Sequence, residues 1–303
     1  MHASIFDRSS LRICWTLKRL REHLYLVLEC GVWFMGSVPS SVNVRVNGLL
    51  VSCLFRKGSM EPVVFVHGLG DSKESFREAF RREEFGSFTL LVADLVGFGD
   101  SGKSAGFSYS MRDQAVILRK VIDGFGVERF HLVAHSMGGA VGIELCEMVS
   151  SRVCSFVNAE GNLTSEDCTG SRHIAGIGEE KFVKVGFEQF KRGLREEFER
   201  AGNSAGMGYL RSLSKATAES MYKSSVSLVK ESDSGDLLTR FCQLPFYKCY
   251  VYGEKNKGVF PAEKLLRQRG IPIFYISNSG HAMMDENPGE FYNLVLKIIC
   301  KSQ

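Results

Sequence analysis

Short apolar runs recur along this chain, and each closes on a small or polar residue: "PVVFVHG" (62–68), "FTLLVAD" (88–94) and "FHLVAHS" (130–136). A strand with one wet face alternates apolar and polar residues, whereas a strand covered on both faces is apolar nearly throughout. These runs therefore predict a parallel sheet held between layers of helices. Ahead of them, "VNVRVNG" and "LLVSCLF" flank a turn and predict an antiparallel pair that opens the sheet. Three later runs continue it: "VCSFVNAE" (153–160), "FYKCYVYG" (246–253) and "IPIFYIS" (271–277).

Helical periodicity fills the gaps between these runs. "SYSMRDQAVILRKVIDGFG" opens on a serine, repeats apolar residues at Ala115, Ile117, Leu118, Val121 and Ile122, and stops at a glycine. "MGGAVGIELCEMV" directly follows Ser136. A last helix is marked by Asn287 as N-cap, Pro288 at the first helical position and Glu290 at the third. From residue 161 to 243 the strand pattern ceases. There "FEQFKRGLREEFERA" sets Phe187, Phe190, Leu194 and Phe198 on one helical face, which predicts an inserted helical subdomain.

The segment before residue 43 follows a different pattern. "RSSLRICWTLKRLR" (8–21) is basic and "LYLVLECGVWFMG" (24–36) is apolar apart from Glu29. That apolar run of 13 residues is too short to span a bilayer. Residues 1–42 read as a non-catalytic extension, with a targeting segment and an interfacial helix as the other readings. No other stretch approaches a membrane span.

Composition narrows the function classes. A chain of 303 residues, 44% hydrophobic, is long enough to bury about three quarters of its unfolded surface, as globular enzymes do. The net charge is +4, but residues 1–42 hold five Lys/Arg against three Asp/Glu, leaving 33 against 31 in the body. So balanced a body offers no electrostatic footprint for nucleic acid. Nine cysteines, at 14, 30, 53, 146, 154, 168, 242, 249 and 300, are odd in number and lack metal-ligand spacing along the chain. They read as reduced thiols of a cytoplasmic protein, with no metal expected.

Two glycine-rich segments suggest competing chemistries. "GFGDSGKS" (97–104) matches the phosphate-loop pattern G-x-x-x-x-G-K-S letter for letter. That loop needs a strand ending at its first glycine and a helix starting at the Lys-Ser, so that backbone N–H groups wrap the phosphates. Here "LLVAD" ends three residues early and "AGFS" separates Lys103 from the next helical pattern, so a tight connection with an exposed lysine is the better reading. "LVAHSMGG" (132–139) passes the corresponding test. A nucleophile on a sharp strand-to-helix turn needs small residues two before and two after it, and the chain supplies Ala134 and Gly138 around Ser136. An ordinary helix N-cap would explain Ser136 alone.

Four motifs converge on that serine, in order and each at a strand end: "VFVHGLGDS" (64–72), "DLVGFGDSG" (94–102), "AHSMGG" (134–139) and "SGHAMMDENP" (279–288). Together they resemble the α/β-hydrolase superfamily over roughly residues 43–163 and 244–300. The implied division is an extension (1–42), a hydrolase core in two parts (43–163 and 244–303) and a helical cap (164–243). The resemblance makes Ser136 the nucleophile and the backbone N–H groups of Leu69 and Met137 the oxyanion hole. In this fold the base follows the nucleophile, which leaves His173 in the insertion and His281 after the last strand; His281 is expected. His67 and His135 are expected to shape the site, and His131 to be a strand or surface residue.

The acid departs from the usual pattern. Most of the superfamily place an Asp after the penultimate strand, but in "YVYGEKNKGVFP" that position is Asn256. Haloalkane dehalogenases instead can hold the acid at the end of the strand after the nucleophile helix, where this chain has Glu160 in "FVNAEGN". The expected triad is Ser136, His281 and Glu160, with Glu254 as the rival acid. A serine nucleophile implies acyl transfer without cofactor on a small-molecule carboxylic ester or related acyl compound. Amides, lactones, carbon–carbon bonds of diketones and acyl acceptors other than water remain open, as does a ligand-binding sensor on the same fold. Oligomeric state is not legible.

Overall fold

The computed structural model describes residues 39–301 together with the backbone of Leu24–Tyr25. The remainder of the expected extension, with Cys14 and Cys30, lies outside the described residues. Among the described residues nine strands form one sheet: β1 (Leu24–Tyr25), β2 (Ser40–Val46), β3 (Leu49–Arg56), β4 (Met60–Val66), β5 (Phe88–Ala93), β6 (Phe130–His135), β7 (Val153–Ala159), β8 (Tyr247–Gly253) and β9 (Ile273–Ile276). Their spatial order is β1-β2-β3-β5-β4-β6-β7-β8-β9. β2 and β3 are antiparallel, and β3 is antiparallel to β5. From β5 through β9 all neighbours are parallel. The β2–β3 turn uses Asn47 and Gly48 at φ 51° and 80°, the positive values a two-residue hairpin loop demands.

The continuous apolar runs are explained by cover on both faces. In β6, Leu132 and Ala134 enter one buried layer and Val133 the other; in β7, Phe156 enters the first and Val157 the second. Helices α1 (Met111–Gly124) and α2 (Met137–Met148) supply Ala115, Leu118, Ala140 and Val141 to the first layer. On the other face a 3₁₀ helix, Lys73–Phe80, brings Phe76 and Phe80.

Between β7 and β8 come α3 (Thr169–Ile177), α4 (Glu179–Lys181), a π-helical segment (Phe182–Gly186), α5 (Phe187–Arg200), α6 (Ser204–Leu213), α7 (Ala218–Asp233) and α8 (Asp236–Gln243). On α5, Phe187 is buried and Phe190, Leu194 and Phe198 pack against the core. Gly206 faces the Phe198 ring so closely that a Cβ there would lie 2.5 Å from it. After β8 come α9 (Pro261–Gln268), α10 (Met283–Glu286) and α11 (Pro288–Lys301). The Asn287 side chain caps α11 by accepting from the Glu290 N–H at 3.3 Å, and Val295 and Ile299 fill the second buried layer. Among the described residues no helix is long and apolar enough to cross a membrane, and the described cysteines are free thiols.

The insertion is tied to the sheet's upper loops by polar contacts. Ser212 Oγ lies 2.8 Å from Ser72 Oγ, Lys215 Nζ donates to Asp100 at 2.7 Å, and Ser220 Oγ donates to the Gly97 carbonyl at 2.9 Å. At the opposite side Arg240 of α8 binds Glu144 and Glu147 of α2. Glu231 of α7 is half-buried there, and desolvation, aided by the negative charge of Glu144, pushes its carboxyl up to about 7. A carboxyl raised in the folded state keeps its proton while the unfolded chain has already ionised, so stability falls as pH rises from about 4.5 to 7. Glu231→Gln is therefore expected to leave the melting temperature unchanged near pH 4 and to raise it by about 3 °C at pH 8. Thermal unfolding of both proteins across that range checks it, and an equal effect at both ends would refute the assignment.

Candidate active site

The C-terminal ends of β4, β6 and β7 and the loop after β9 converge on Ser136. This residue sits between β6 and α2 at φ 54° and ψ −127°, a backbone conformation that an L-residue adopts only when its surroundings impose it. The Ser136 N–H is held by the Ala159 carbonyl at 3.0 Å, and its own carbonyl accepts from Gly139 at 2.8 Å. Ser136 occupies the N-cap position of α2, yet its hydroxyl makes no cap hydrogen bond. The hydroxyl is thus not used in stabilising the helix, which an ordinary N-cap serine would do.

The glycines around the turn are enforced by close neighbours. A Cβ on Gly138 would lie 2.5 Å from the Val66 carbonyl oxygen and 2.7 Å from that of His67, so the end of β4 enforces glycine there. Gly139 is under the same constraint from Asn158 and Gly161, each 2.6 Å from a hypothetical Cβ. The loop that follows β4 reaches the serine itself: a Cβ on Gly68 would meet Ser136 Cβ at 3.0 Å. The next residue is Leu69, whose N–H makes no hydrogen bond among the described residues. The Met137 N–H opens α2 and is one of the donors that an α-helix leaves without an intrahelical acceptor. Tyr209 of α6 donates to the Leu69 carbonyl at 3.0 Å and so fixes the loop that presents this amide.

His281 follows β9 and has 55% of its side chain exposed. Its Nδ1 lies 2.7 Å from Glu160 Oε2. Glu160 is 4% exposed at its side chain and stands at φ 43°, immediately beyond β7. Besides His281, its carboxylate accepts from the Gly253 N–H at 2.8 Å, and Asn256 Nδ2 donates to both oxygens at 3.0 and 2.9 Å. Asn256, in the usual acid position, is thus a donor that orients the Glu160 carboxylate. The rival Glu254 instead accepts from the Asn278 N–H at 2.9 Å and bonds the loop leading to His281, not its ring. Among the described residues neither Ser136 Oγ nor His281 Nε2 makes a hydrogen bond, so Ser136 and His281 are not hydrogen-bonded to each other.

Two other histidines brace these loops. His67 is fully buried; its Nε2 accepts from the Leu95 N–H at 2.9 Å and its Nδ1 donates to the Gly68 carbonyl at 2.8 Å. The His135 ring lies 4.6 Å from that of His281, and its Nε2 donates to the His281 carbonyl at 2.8 Å. Burial, then the nearby His281, holds His135 well below the usual histidine range, so it stays neutral. His173 is exposed on α3. His135 was expected to shape the site, whereas the contacts of Asn256 and Tyr209 depend on distant loops. A Cβ on Gly253 would lie 2.1 Å from the Gly280 carbonyl oxygen, so the His281 loop packs directly on β8.

Asn256→Ala removes two hydrogen bonds to a charged carboxylate and leaves those from Gly253 and His281. The expected result is a fall of about tenfold in kcat with KM little changed. Steady-state kinetics on an activated ester test this, and an unchanged kcat would show that Asn256 does not orient the acid.

The phosphate-loop resemblance dissolves at the same end of the sheet. Lys103 Nζ donates to the Gly99 and Ser101 carbonyls of its own loop at 2.6 and 2.8 Å, and α1 begins only at Met111. Asp94, fully buried, accepts from Lys73 Nζ at 2.6 Å and from the Asp100 N–H at 2.7 Å, so the motif is a structural knot. A cleft of about 540 Å³ lies beside the site, lined among others by Asp71, Tyr209, Arg211, Ser212, Met284 and Asp285. It shares loops with Leu69 and His281 without including either.

A sheet of this order, with a strained serine where its strand meets a helix and a histidine–glutamate pair beyond the last strands, defines the α/β-hydrolase architecture. Residues 61–248 match the sequence profile of the α/β hydrolase fold, and the chain belongs to that family. Among curated relatives, a probable lysophospholipase, BODYGUARD 4 of Arabidopsis thaliana, is 36% identical over 97 residues, 31% of this chain and 23% of the relative. Lipase 1 of Psychrobacter immobilis is 32% identical over 84 residues, 27% of this chain and 26% of the relative. The matched part thus spans about a quarter of the length of these relatives. An N-acyl homoserine lactonase, AidH, in complex with N-hexanoyl homoserine superposes with a TM-score of 0.71 at 17% identity, over 88% of this chain and 98% of that one. An esterase from Thermogutta terrifontis gives 0.68 at 21% identity, over 87% and 99%. At such identities these structures speak for the fold.

Proposed function

We propose that the protein is a serine hydrolase that cleaves a carboxylic ester or related acyl compound through Ser136, His281 and Glu160. The observation that carries this reading is the 2.7 Å contact between His281 Nδ1 and a buried Glu160, beside a serine whose strained backbone leaves its hydroxyl uncommitted. His281 Nε2 takes the Ser136 proton as Oγ attacks the acyl carbon, and Glu160 stabilises the imidazolium through a charge-assisted hydrogen bond. The carbonyl oxygen gathers negative charge against the N–H groups of Leu69 and Met137, the second of them at the positive end of α2. The leaving alcohol receives the proton from His281, and water repeats the sequence on the acyl-enzyme. In this reading residues 43–163 and 244–303 form the catalytic core, residues 164–243 cap it, and Tyr209 couples the cap to the oxyanion loop. No cofactor enters the mechanism.

A fluorophosphonate probe is expected to label Ser136, and a panel of acyl esters graded in chain length to reveal the preferred substrate. The panel includes charged alcohol portions, because the cleft beside the Leu69 and His281 loops carries Asp71, Arg211 and Asp285. Labelling without turnover of any ester would move the assignment to another acyl chemistry. Absence of labelling in folded protein would end the hydrolase reading and leave a ligand-binding sensor on the same fold.

A further inference from the structure

At the opposite end of the sheet, three side chains of metal-binding chemistry meet on adjacent strands. Glu61 stands at the start of β4, His131 at the start of β6 and Cys154 at the start of β7; one ligand atom from each lies within 4.8 Å of the others. Chain spacing gave no hint of this group, because the sheet order β4-β6-β7 brings together residues 70 and 23 positions apart. Two register breaks flank it. On β4 the pairing shifts between Met60 and Val63, and on β7 it passes from Val153 to Ser155 and skips Cys154. A bulge re-aims the side chain of its extra residue, and both breaks fall on ligand-bearing positions.

The histidine supplies the second observation. Its ring is fully buried. Nδ1 lies 2.8 Å from Ser155 Oγ, while Nε2 makes no hydrogen bond among the described residues, with Glu61 Oε2 3.5 Å away. A buried ring nitrogen without a partner is costly. When the other nitrogen gives its proton to a hydroxyl, the first presents a bare lone pair, as metal-bound imidazoles do. Arg129 Nη2 donates to Cys154 Sγ at 3.5 Å and partly offsets the burial and the Glu61 charge that push this thiol up.

We propose that Glu61, His131 and Cys154 bind a divalent transition metal, zinc by the softness and variety of the donors, at a three-ligand site that ties β4, β6 and β7 together. Binding converts the Cys154 thiol to a thiolate and releases its proton to solvent; with the Glu61 carboxylate this balances the two charges of the ion. Zinc–ligand bonds of about 2.0–2.3 Å require the three atoms to draw closer, which rotation of the one-third-exposed Glu61 permits. A water completes four-coordination. Ser136 lies five positions beyond His131 along β6 and its end, about 16 Å, so the metal takes no part in acyl transfer.

The test uses the full chain, stripped with a chelator and dialysed against zinc. Elemental analysis is expected to find one equivalent retained, and saturating zinc to raise the melting temperature by about 5 °C. Cobalt in its place is expected to give a thiolate-to-cobalt charge-transfer band. Cys154→Ala abolishes that band and weakens zinc binding at least about tenfold. Because a buried histidine variant can fail to fold, Glu61→Gln provides the second arm, with the same loss of affinity and unchanged ester turnover. Equal zinc affinity in wild type, Cys154→Ala and Glu61→Gln would assign the metal to other thiols such as Cys242 or Cys300 and overturn the proposal. So would failure of the wild type to retain zinc.

Discussion

Ser136→Ala is expected to lower kcat/KM for an activated acyl ester by at least about 10³-fold while the melting temperature moves by no more than about 2 °C. The hydroxyl caps nothing and hydrogen-bonds nothing among the described residues, so its loss leaves the packing of α2 on β4 intact. The strained φ of 54° stays in place because Ala159, Gly139 and the β4 carbonyls impose it, not the side chain. Kinetics and thermal unfolding on the same preparation decide the matter. A folded variant keeping most of the wild-type rate would remove Ser136 from the mechanism.

Glu160→Gln is expected to cost about 10³- to 10⁴-fold in kcat. The wild-type carboxylate faces only donors: the Gly253 N–H, the Asn256 amide and His281 Nδ1. A glutamine must turn its NH₂ toward one of them. Facing His281, it forces the wrong tautomer; facing Gly253 and Asn256, it leaves a buried donor unpaired. Glu254→Gln, whose carboxylate holds only the Asn278 N–H, is expected to change kcat less than threefold. If the Glu254 variant is the inactive one, the acid assignment fails.

Much of the sheet was legible because strands buried on both faces, such as β6 and β7, write continuous apolar runs. The helical character of residues 161–243 showed in the same way, through the disappearance of those runs. The short 3₁₀ helix at Lys73–Phe80 was not read, since "KESFREAF" is too brief for a helical period to register. At the site, Ser136 and His281 stand in local motifs, and Glu160 could be inferred from the missing acid at 256. The role of Asn256 could not be read there: its partner lies 96 residues away, and nothing in "GEKNKG" records that the amide points at another strand's carboxylate. That Gly138 must be small was legible, but not that the Val66 and His67 carbonyls crowd it, because a single sequence reports that a residue is small and not which neighbours make it so.

The 2.9 Å separation between Asn256 and Glu160 also constrains how such a site can change over generations. Two carboxylates at that distance share one proton, so an Asn256→Asp substitution leaves the pair with a single charge at moderate pH and mutual repulsion only when both ionise. Such a doubly acidic form still offers His281 a negative partner. A form with amides at both positions offers none. A lineage in which the charged partner of His281 moves from one strand to the other therefore has one passable order, gain before loss.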